Sequence, residues 1–236
     1  MSFIGRLFKK EIKQKTIFHD YMKNSFSQSG EDLIVEYLFN GLGISKPTYI
    51  DIGAHHPFYM NNTFLFYLKG ANGINIEPDP HLFNSFISNR DKDVNLNIGI
   101  SDIESESDFY IISTPTLNTF SLETAKSYEK EGDFKIIDTK KIKTSPVNTV
   151  IKDYFNNVFP DFLSLDAEGV DEMIIKSIDF ENSYPKIICV ETISFSNTGN
   201  GIKNQSLIDY IVDKGYLLYA DTNINSIFVR KELWVK

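Results

Sequence analysis

The sequence predicts an α/β domain with a Rossmann-like, mostly parallel sheet, and three observations carry that prediction. Short apolar runs alternate with amphipathic stretches along most of the chain, the pattern of strands connected by crossover helices. The apolar runs are short, and the first two stop at a glycine and a proline, the punctuation expected where strands enter turns. The chain closes with two apolar runs, 216–220 and 226–230, around the polar turn 221–225, which predicts a hairpin and so an antiparallel strand at the sheet edge. A chain of 236 residues suits one such domain better than two.

The elements follow in order. Residues 27–42 read as a helix, with Leu33, Ile34, Tyr37 and Leu38 on one face and Gly41 and Gly43 at its end. Residues 49–53 form a first strand ending in glycine, 62–69 a helix closed by Gly70, and 73–78 a second strand stopped by Pro78. A helix at 81–90 leads to a third strand at 94–101. Residues 108–112 and 136–144 read as strands, and the polar stretch 114–132 between them as an insertion-like loop. A helix at 147–155, a strand at 162–166, a helix at 170–178 and a strand at 186–192 restore the alternation, and a helix at 205–214 precedes the hairpin.

Composition removes several classes of function. The 42% hydrophobic and 14% aromatic content supplies a substantial core, which disfavours a disordered chain. A net charge of −8 argues against an extended nucleic-acid footprint. Cys189 is the sole cysteine, which rules out a disulfide within the chain and a cysteine-based zinc site. No apolar run has the length of a membrane span and the N-terminus has no signal-type apolar core, so a cytoplasmic location is expected. Residues 1–24 stand apart from the domain at 25–236. Arg6, Lys9, Lys10, Lys13, Lys15 and Lys23 outnumber the acids there, and Ile4, Leu7, Phe8 and Ile12 are spaced for a helix face. Such a segment either packs on its own domain or rests on an anionic membrane surface.

The chemistry sits at strand ends. Asp51, Glu77, Asp166 and Glu191 each close a predicted strand, and the carboxyl ends of strands form the ligand-binding rim of an open α/β sheet. A single acid there is commonly a loop start or a helix cap. Four together repel one another unless a cationic or hydroxyl-rich ligand joins them. The first turn, Gly53-Ala54-His55-His56-Pro57, has one glycine and then bulky residues, so it suits a pyrophosphate poorly. S-adenosylmethionine (SAM) has no phosphate and carries a sulfonium, an ammonium and a ribose diol, all of which suit acids. Glu77 is placed to accept from both ribose hydroxyls.

These residues occur in a larger ordered set. The run Ser27-Gln28-Ser29-Gly30-Glu31-Asp32, the first turn from Asp51 to Pro57, Asn62-Thr63 with Phe66-Tyr67, and Ile76-Glu77-Pro78 come first. The run Leu165-Asp166-Ala167-Glu168-Gly169 and Val190-Glu191 follow. Over about 26–195 the chain resembles the FkbM family of SAM-dependent methyltransferases. It departs at Gly70-Ala71, where that family often has Gly-Trp. The resemblance implies a seven-stranded class I methyltransferase sheet and O-methylation of a sugar or glycan precursor, as in surface-polysaccharide biosynthesis. It also implies that Asp51, Gly53 and Ala54, with His55 on the same turn, line the methionine and ribose part of SAM. Glu77 with Pro78 would hold the ribose, Ser101 and Asp102 would lie near the adenine, and Gln28 and Glu31 would cap the cofactor.

Methyl transfer from a sulfonium asks mainly for positioning. An alcohol acceptor also needs its proton removed, and His56, Asp166, Glu168 and Glu191 are the candidate catalytic residues. Asp166, Glu191 and a histidine would also suit Mg²⁺ or Mn²⁺, although nothing in the spacing demands a metal. The loop at 114–132, with Thr116, Asn118, Thr119 and Ser121, is expected to help recognise the acceptor. Two other readings remain open: a phosphorylated acceptor, with Lys140, Lys141 and Lys143 as electrostatic contacts, and a non-catalytic SAM-binding module.

Overall fold

The computed structural model describes residues 20–132, 134–194 and 201–235. The basic segment singled out at the N-terminus falls almost entirely outside them. Helix α1 (Glu31–Leu42) leads into β1 (Tyr49–Ile52), α2 (Phe64–Leu68), β2 (Gly73–Ile76), α3 (Pro80–Asn89) and β3 (Val94–Leu96). The middle of the chain holds β4 (Gly99–Ile100), β5 (Ser105–Ile112), α4 (Leu122–Glu131), β6 (Ile136–Ser145) and α5 (Val147–Phe155). The last third comprises β7 (Phe162–Leu165), α6 (Asp171–Ser177), β8 (Ile187–Glu191), α7 (Gln205–Asp213), β9 (Tyr216–Asp221), β10 (Asn225–Arg230) and α8 (Lys231–Trp234).

The main sheet has seven strands in the order β3-β2-β1-β7-β8-β10-β9. Its first five are parallel, and β10 runs antiparallel to β8 and to β9, as the hairpin pattern predicts. After β1 the chain moves one way, to β2 and β3. After β7 it moves the other way, to β8. The crevice between β1 and β7 is therefore the topological switch point where such sheets bind ligands.

Side chains of the central strands alternate between two cores. Ile50, Ile52, Leu163 and Leu165 pack with Val150 of α5 and other side chains of α5–α7. Tyr49, Phe162 and Ile187 point the other way, against Val35, Leu38 and Phe39 of α1. Phe39, Phe66 and Phe162 meet edge-on, with centroids 5.8–6.2 Å apart, each pair adding roughly 0.5–1.5 kcal/mol beyond burial.

Three expectations need correction. The first helix starts at Glu31 rather than at residue 27, because residues 25–27 wrap the buried Asp32 carboxylate instead. Ser25 Oγ and Ser27 Oγ donate to Oδ1 at 2.6 and 2.9 Å, and the Phe26 N–H donates to Oδ2 at 2.7 Å. The third strand is two strands. Asn97 turns its amide back onto the Glu77 and Pro78 carbonyls at 2.8 and 2.9 Å, ending β3, and β4 joins a second sheet. That sheet, in the order β4-β6-β5, forms a separate layer. The stretch 114–132 is not simply a loop, since it contains α4. Ser121 Oγ caps that helix by accepting from the Thr124 N–H at 3.1 Å, and Ala125 and Tyr128 are buried one turn apart.

Arg90, wholly buried at the end of α3, was not anticipated. All five of its N–H groups are placed on acceptors. Nε donates to Asp93 Oδ2 at 2.8 Å. Nη1 serves the Pro57 carbonyl (2.9 Å) and Asn61 Oδ1 (3.2 Å), and Nη2 serves Tyr49 Oη (3.0 Å) and Thr63 Oγ1 (2.9 Å). Removing one partner of a buried ion pair leaves the other charge uncompensated. Arg90→Met should therefore lower unfolding stability by about 3–5 kcal/mol in urea titrations followed by circular dichroism. A loss below about 1 kcal/mol would show that the network contributes little.

Candidate active site

Parallel register brings the strand ends into line. Asp51 lies opposite both Asn75 and Ser164, and Ile52 opposite Ile76 and Leu165, so Gly53, Glu77 and Asp166 all emerge at one level of the rim. Gly53 has φ +75°, and a Cβ there would fall 1.7 Å from the Asp166 carbonyl oxygen. Only glycine permits that approach of the β1 and β7 ends. Above them opens a cavity of about 390 Å³. Among the described residues, four of the six non-glycine residues with positive φ line it: His55, Met60, Glu168 and Asn223. Backbone conformations of this kind collect at binding sites, where the surrounding structure holds them.

Five carboxylates line the cavity (Asp51, Glu77, Asp166, Glu168 and Glu191), and no lysine or arginine does among the described residues. Asp51 faces the α1 and α2 side. Its Oδ2 accepts from Asn61 Nδ2 at 3.0 Å and Thr63 Oγ1 at 2.9 Å, so it anchors the segment leading to α2 as well as facing the cavity. Burial raises its pKa, opposed by Ser164, Arg90, Thr63 and Asn61. Glu77 bridges two loops: Oε2 accepts the His55 N–H at 2.8 Å and Oε1 the Asp79 N–H at 2.7 Å. Burial nevertheless pushes its carboxyl up to about 8, because two amides do not replace the lost water.

Asp166, Glu168 and Glu191 each bring an oxygen within 4.8 Å of the others. Burial raises all three pKa values, reinforced by neighbouring acids: Asp171 and Asp51 for Asp166, Asp166 and Asp171 for Glu168, and Asp166, Glu168 and Asp171 for Glu191. Asp166 Oδ1 is a buried oxygen with no hydrogen-bond partner. This arrangement suits hydroxyl or ammonium donors, or a group that must give and take a proton near neutral pH. Among the described residues no histidine joins the cluster.

The remaining expected residues are placed as follows. Gln28, Ala54, His55 and Pro78 line the cavity. Burial lowers the His55 pKa, aided by His56, which favours a neutral ring. His56 does not line the cavity. Its Nδ1 accepts from the Tyr59 N–H at 3.1 Å, and its ring packs edge-on against Phe58, so it shapes the turn after β1. Glu31 is also outside the lining. It is buried against the hairpin, accepting from Thr222 Oγ1 (2.7 Å), Asn225 Nδ2 (3.1 Å) and the Ser29 N–H (2.7 Å). Burial works against its charge, but those bonds prevail and hold the carboxyl below its ordinary range. Ser101 donates to the Ile103 carbonyl at 2.6 Å and Asp102 is exposed. Gly99 and Ile100 line the wall in their place, because the chain turns into the second sheet at that point.

The stretch 114–132 reaches the cavity through Pro115, Thr116, Leu117, Asn118 and Phe120. Asn118 Nδ2 donates to Asp79 Oδ2 at 2.9 Å, tying this segment to the loop after Glu77. Sequence reasoning missed Asn61, Asn223 and Asn225, which line the cavity from loops and from the start of β10. An isolated asparagine in a loop carries no signal that separates a site residue from a turn former. Among the described residues no helix is long and apolar enough to cross a membrane.

The profile described as "Methyltransferase FkbM domain" matches residues 51–218, most of the chain. No curated protein matches the sequence significantly. A TehB-like SAM-dependent methyltransferase from Corynebacterium glutamicum ATCC 13032 is similar in structure at 11% identity and a TM-score of 0.42, covering 96% of this chain and 100% of its own.

The raised carboxyl pKa values predict how stability changes with pH. In the unfolded chain Glu77 loses its proton near its ordinary 4.5, whereas in the fold it keeps it to about 8. Between those values the unfolded state binds fewer protons, so stability falls as pH rises. Asp166, Glu168 and Glu191 act in the same direction. Thermal melts without ligand should give a Tm that declines from about pH 5 to pH 8, with a shallower decline in Glu77→Gln. A Tm rising across that window would contradict the account.

Proposed function

The chain belongs to the FkbM methyltransferase family, and from that premise we propose that it transfers a methyl group from SAM to a hydroxyl of an unphosphorylated sugar or glycan precursor. The observation that carries the proposal is a cavity at the switch point lined by five carboxylates and by no lysine or arginine among the described residues.

The residues present suit SAM, which supplies an electrophilic methyl group on a sulfonium. Glu77 accepts backbone N–H groups on both oxygens and has lone pairs left for a ribose diol. Asp166 Oδ1, buried without a donor, fits an ammonium. Gly53 brings the β1 and β7 ends close enough that a small molecule meets both Asp51 and Asp166. The chain then has two tasks: to hold the acceptor oxygen in line with the methyl group, and to take its proton. Asp166, Glu168 and Glu191 are the candidate bases, since burial has moved their pKa values toward or above neutrality. His56, turned away from the cavity, is better read as a turn-forming residue.

The charge of the lining also bears on the phosphorylated alternative. Lys140, Lys141 and Lys143 lie on β6, outside the cavity lining. Lys140 pairs with Asp138 and Lys141 with Asp108, and both lysines are exposed. A phosphate entering the cavity would meet acids and no cation among the described residues, whereas sugar hydroxyls would find acceptors.

Isothermal titration calorimetry should show SAM binding and no NAD binding. Glu77→Ala should weaken SAM on the order of 100-fold, the effect of losing two hydrogen bonds from a ribose diol. Transfer of radiolabelled methyl from SAM to neutral sugars and glycans, compared with their phosphorylated counterparts, then tests the acceptor class. Wild-type protein that does not bind SAM would overturn the cofactor assignment, and label confined to phosphorylated acceptors would overturn the acceptor assignment.

A further inference from the structure

The layer formed by β4, β5, β6 and α4 holds a side chain that the mechanism above does not use. Tyr128 lies on α4, 3% exposed, in a small core with Ile112, Leu117 and Ala125. Its ring belongs to that layer, but its hydroxyl leaves it and donates to Glu168 Oε2 at 2.7 Å, beyond the end of β7. Two more contacts from the same segment reach the same corner. Thr119 Oγ1 donates to the Glu168 carbonyl at 2.6 Å. A Cβ on Gly169 would lie 2.9 Å from Thr124 Oγ1, so α4 sits directly against the turn. Glu168 itself has φ 44°, a left-handed conformation that a non-glycine residue keeps only when its surroundings impose it.

We propose that Tyr128 is a positioning residue for Glu168: from the second layer its hydroxyl fixes the orientation of that carboxyl over the cavity and favours the charged form that accepts a proton. The inference rests on the reading of this cavity as the methyl-transfer site with Glu168 among its bases. The groups facing Glu168 define why a donor matters. Asp166 at the end of β7, Asp171 on α6 and Glu191 at the end of β8 are all acids, and each disfavours a further negative charge. The Tyr128 hydroxyl works in the opposite direction. It keeps its own proton available, because burial and the neighbouring Glu168 raise its pKa. A hydrogen bond to one carboxyl oxygen also removes a rotational freedom that an unrestrained glutamate in the left-handed corner would have.

The test compares wild type with Tyr128→Phe in the full chain, which retains the buried ring and removes only the donor. Carboxyl ¹³C NMR of glutamate-labelled protein, with the Glu168 signal assigned through Glu168→Gln, should show Glu168 titrating at higher pH in Tyr128→Phe. The acidic limb of the kcat–pH profile should move with it. At neutral pH kcat should fall about tenfold, the effect of one charge-assisted hydrogen bond, with SAM affinity unchanged. An unmoved Glu168 titration in folded Tyr128→Phe would overturn the proposal, since a purely structural tyrosine changes stability alone. If that variant does not fold, the wild-type Tyr128 hydroxyl proton decides. The proposal requires a slowly exchanging proton that disappears in Glu168→Ala, and its absence from wild type overturns it. If Glu168→Gln transfers methyl groups normally while the Tyr128→Phe titration shift is present, Glu168 fails as a base and its coupling to Tyr128 stands.

Discussion

The buried guanidinium of Arg90 is the interaction on which the rest of the structure depends. It meets Asp93, Tyr49, Pro57, Asn61 and Thr63, which belong to three different stretches of chain. Asp93 in turn accepts from the Gly73 N–H at 2.9 Å and from Asn75 Nδ2 at 3.0 Å, so the entry of β2 is tied to the same charge. Through Asn61 and Thr63 the network reaches Asp51 on the ligand rim. A charge removed from water must have every donor matched. The geometry that matches these donors also sets where the first turn and the start of α2 sit relative to the cavity.

A second constraint acts at the opposite end of the network. Five carboxylates around one cavity oppose one another, and burial opposes each of them. The fold sustains this by giving each acid a structural partner where it can: two amides for Glu77, Asn61 and Thr63 for Asp51, and Tyr128 for Glu168. What stays unmatched, above all Asp166 Oδ1, is the electrostatic counterpart of a ligand that brings donors or positive charge. A cavity lined by mutually opposed, buried acids therefore costs the fold stability, as functional sites commonly do.

The second layer links the two halves of the rim. Asn118 holds the loop beyond Glu77 through Asp79, while Thr119 and Tyr128 hold the corner beyond β7. One short segment therefore spans the cavity from its Glu77 side to its acid cluster. Its rigidity comes from packing, with Phe120 filling the space left by Gly99 and contacting Phe109 at a centroid distance of 4.7 Å.

The alternation of strands and helices, the terminal hairpin and the acids at strand ends were all legible in the amino-acid order, because each is a local pattern of hydrophobicity or punctuation. That order also pointed to Asp51, Gly53, Glu77, Asp166, Glu168 and Glu191, all of which line one cavity. Tertiary structure alone decided the rest. The regular spacing of Val94, Leu96, Ile98 and Ile100 gave no sign that Asn97 would fold back on Glu77 and send the chain into another sheet. Nothing near Arg90 in the sequence marked it as buried, because its acceptors come from stretches up to 41 residues away. Glu31 and His56 carried the residue types of a site. Contacts with Thr222 and Asn225, and with the turn at 56–59, directed them elsewhere. Strand and helix periodicity is written within a few neighbouring residues. The partner of a buried polar group is chosen by whichever distant segment packing brings to it, and that choice separates a catalytic acid from a structural one.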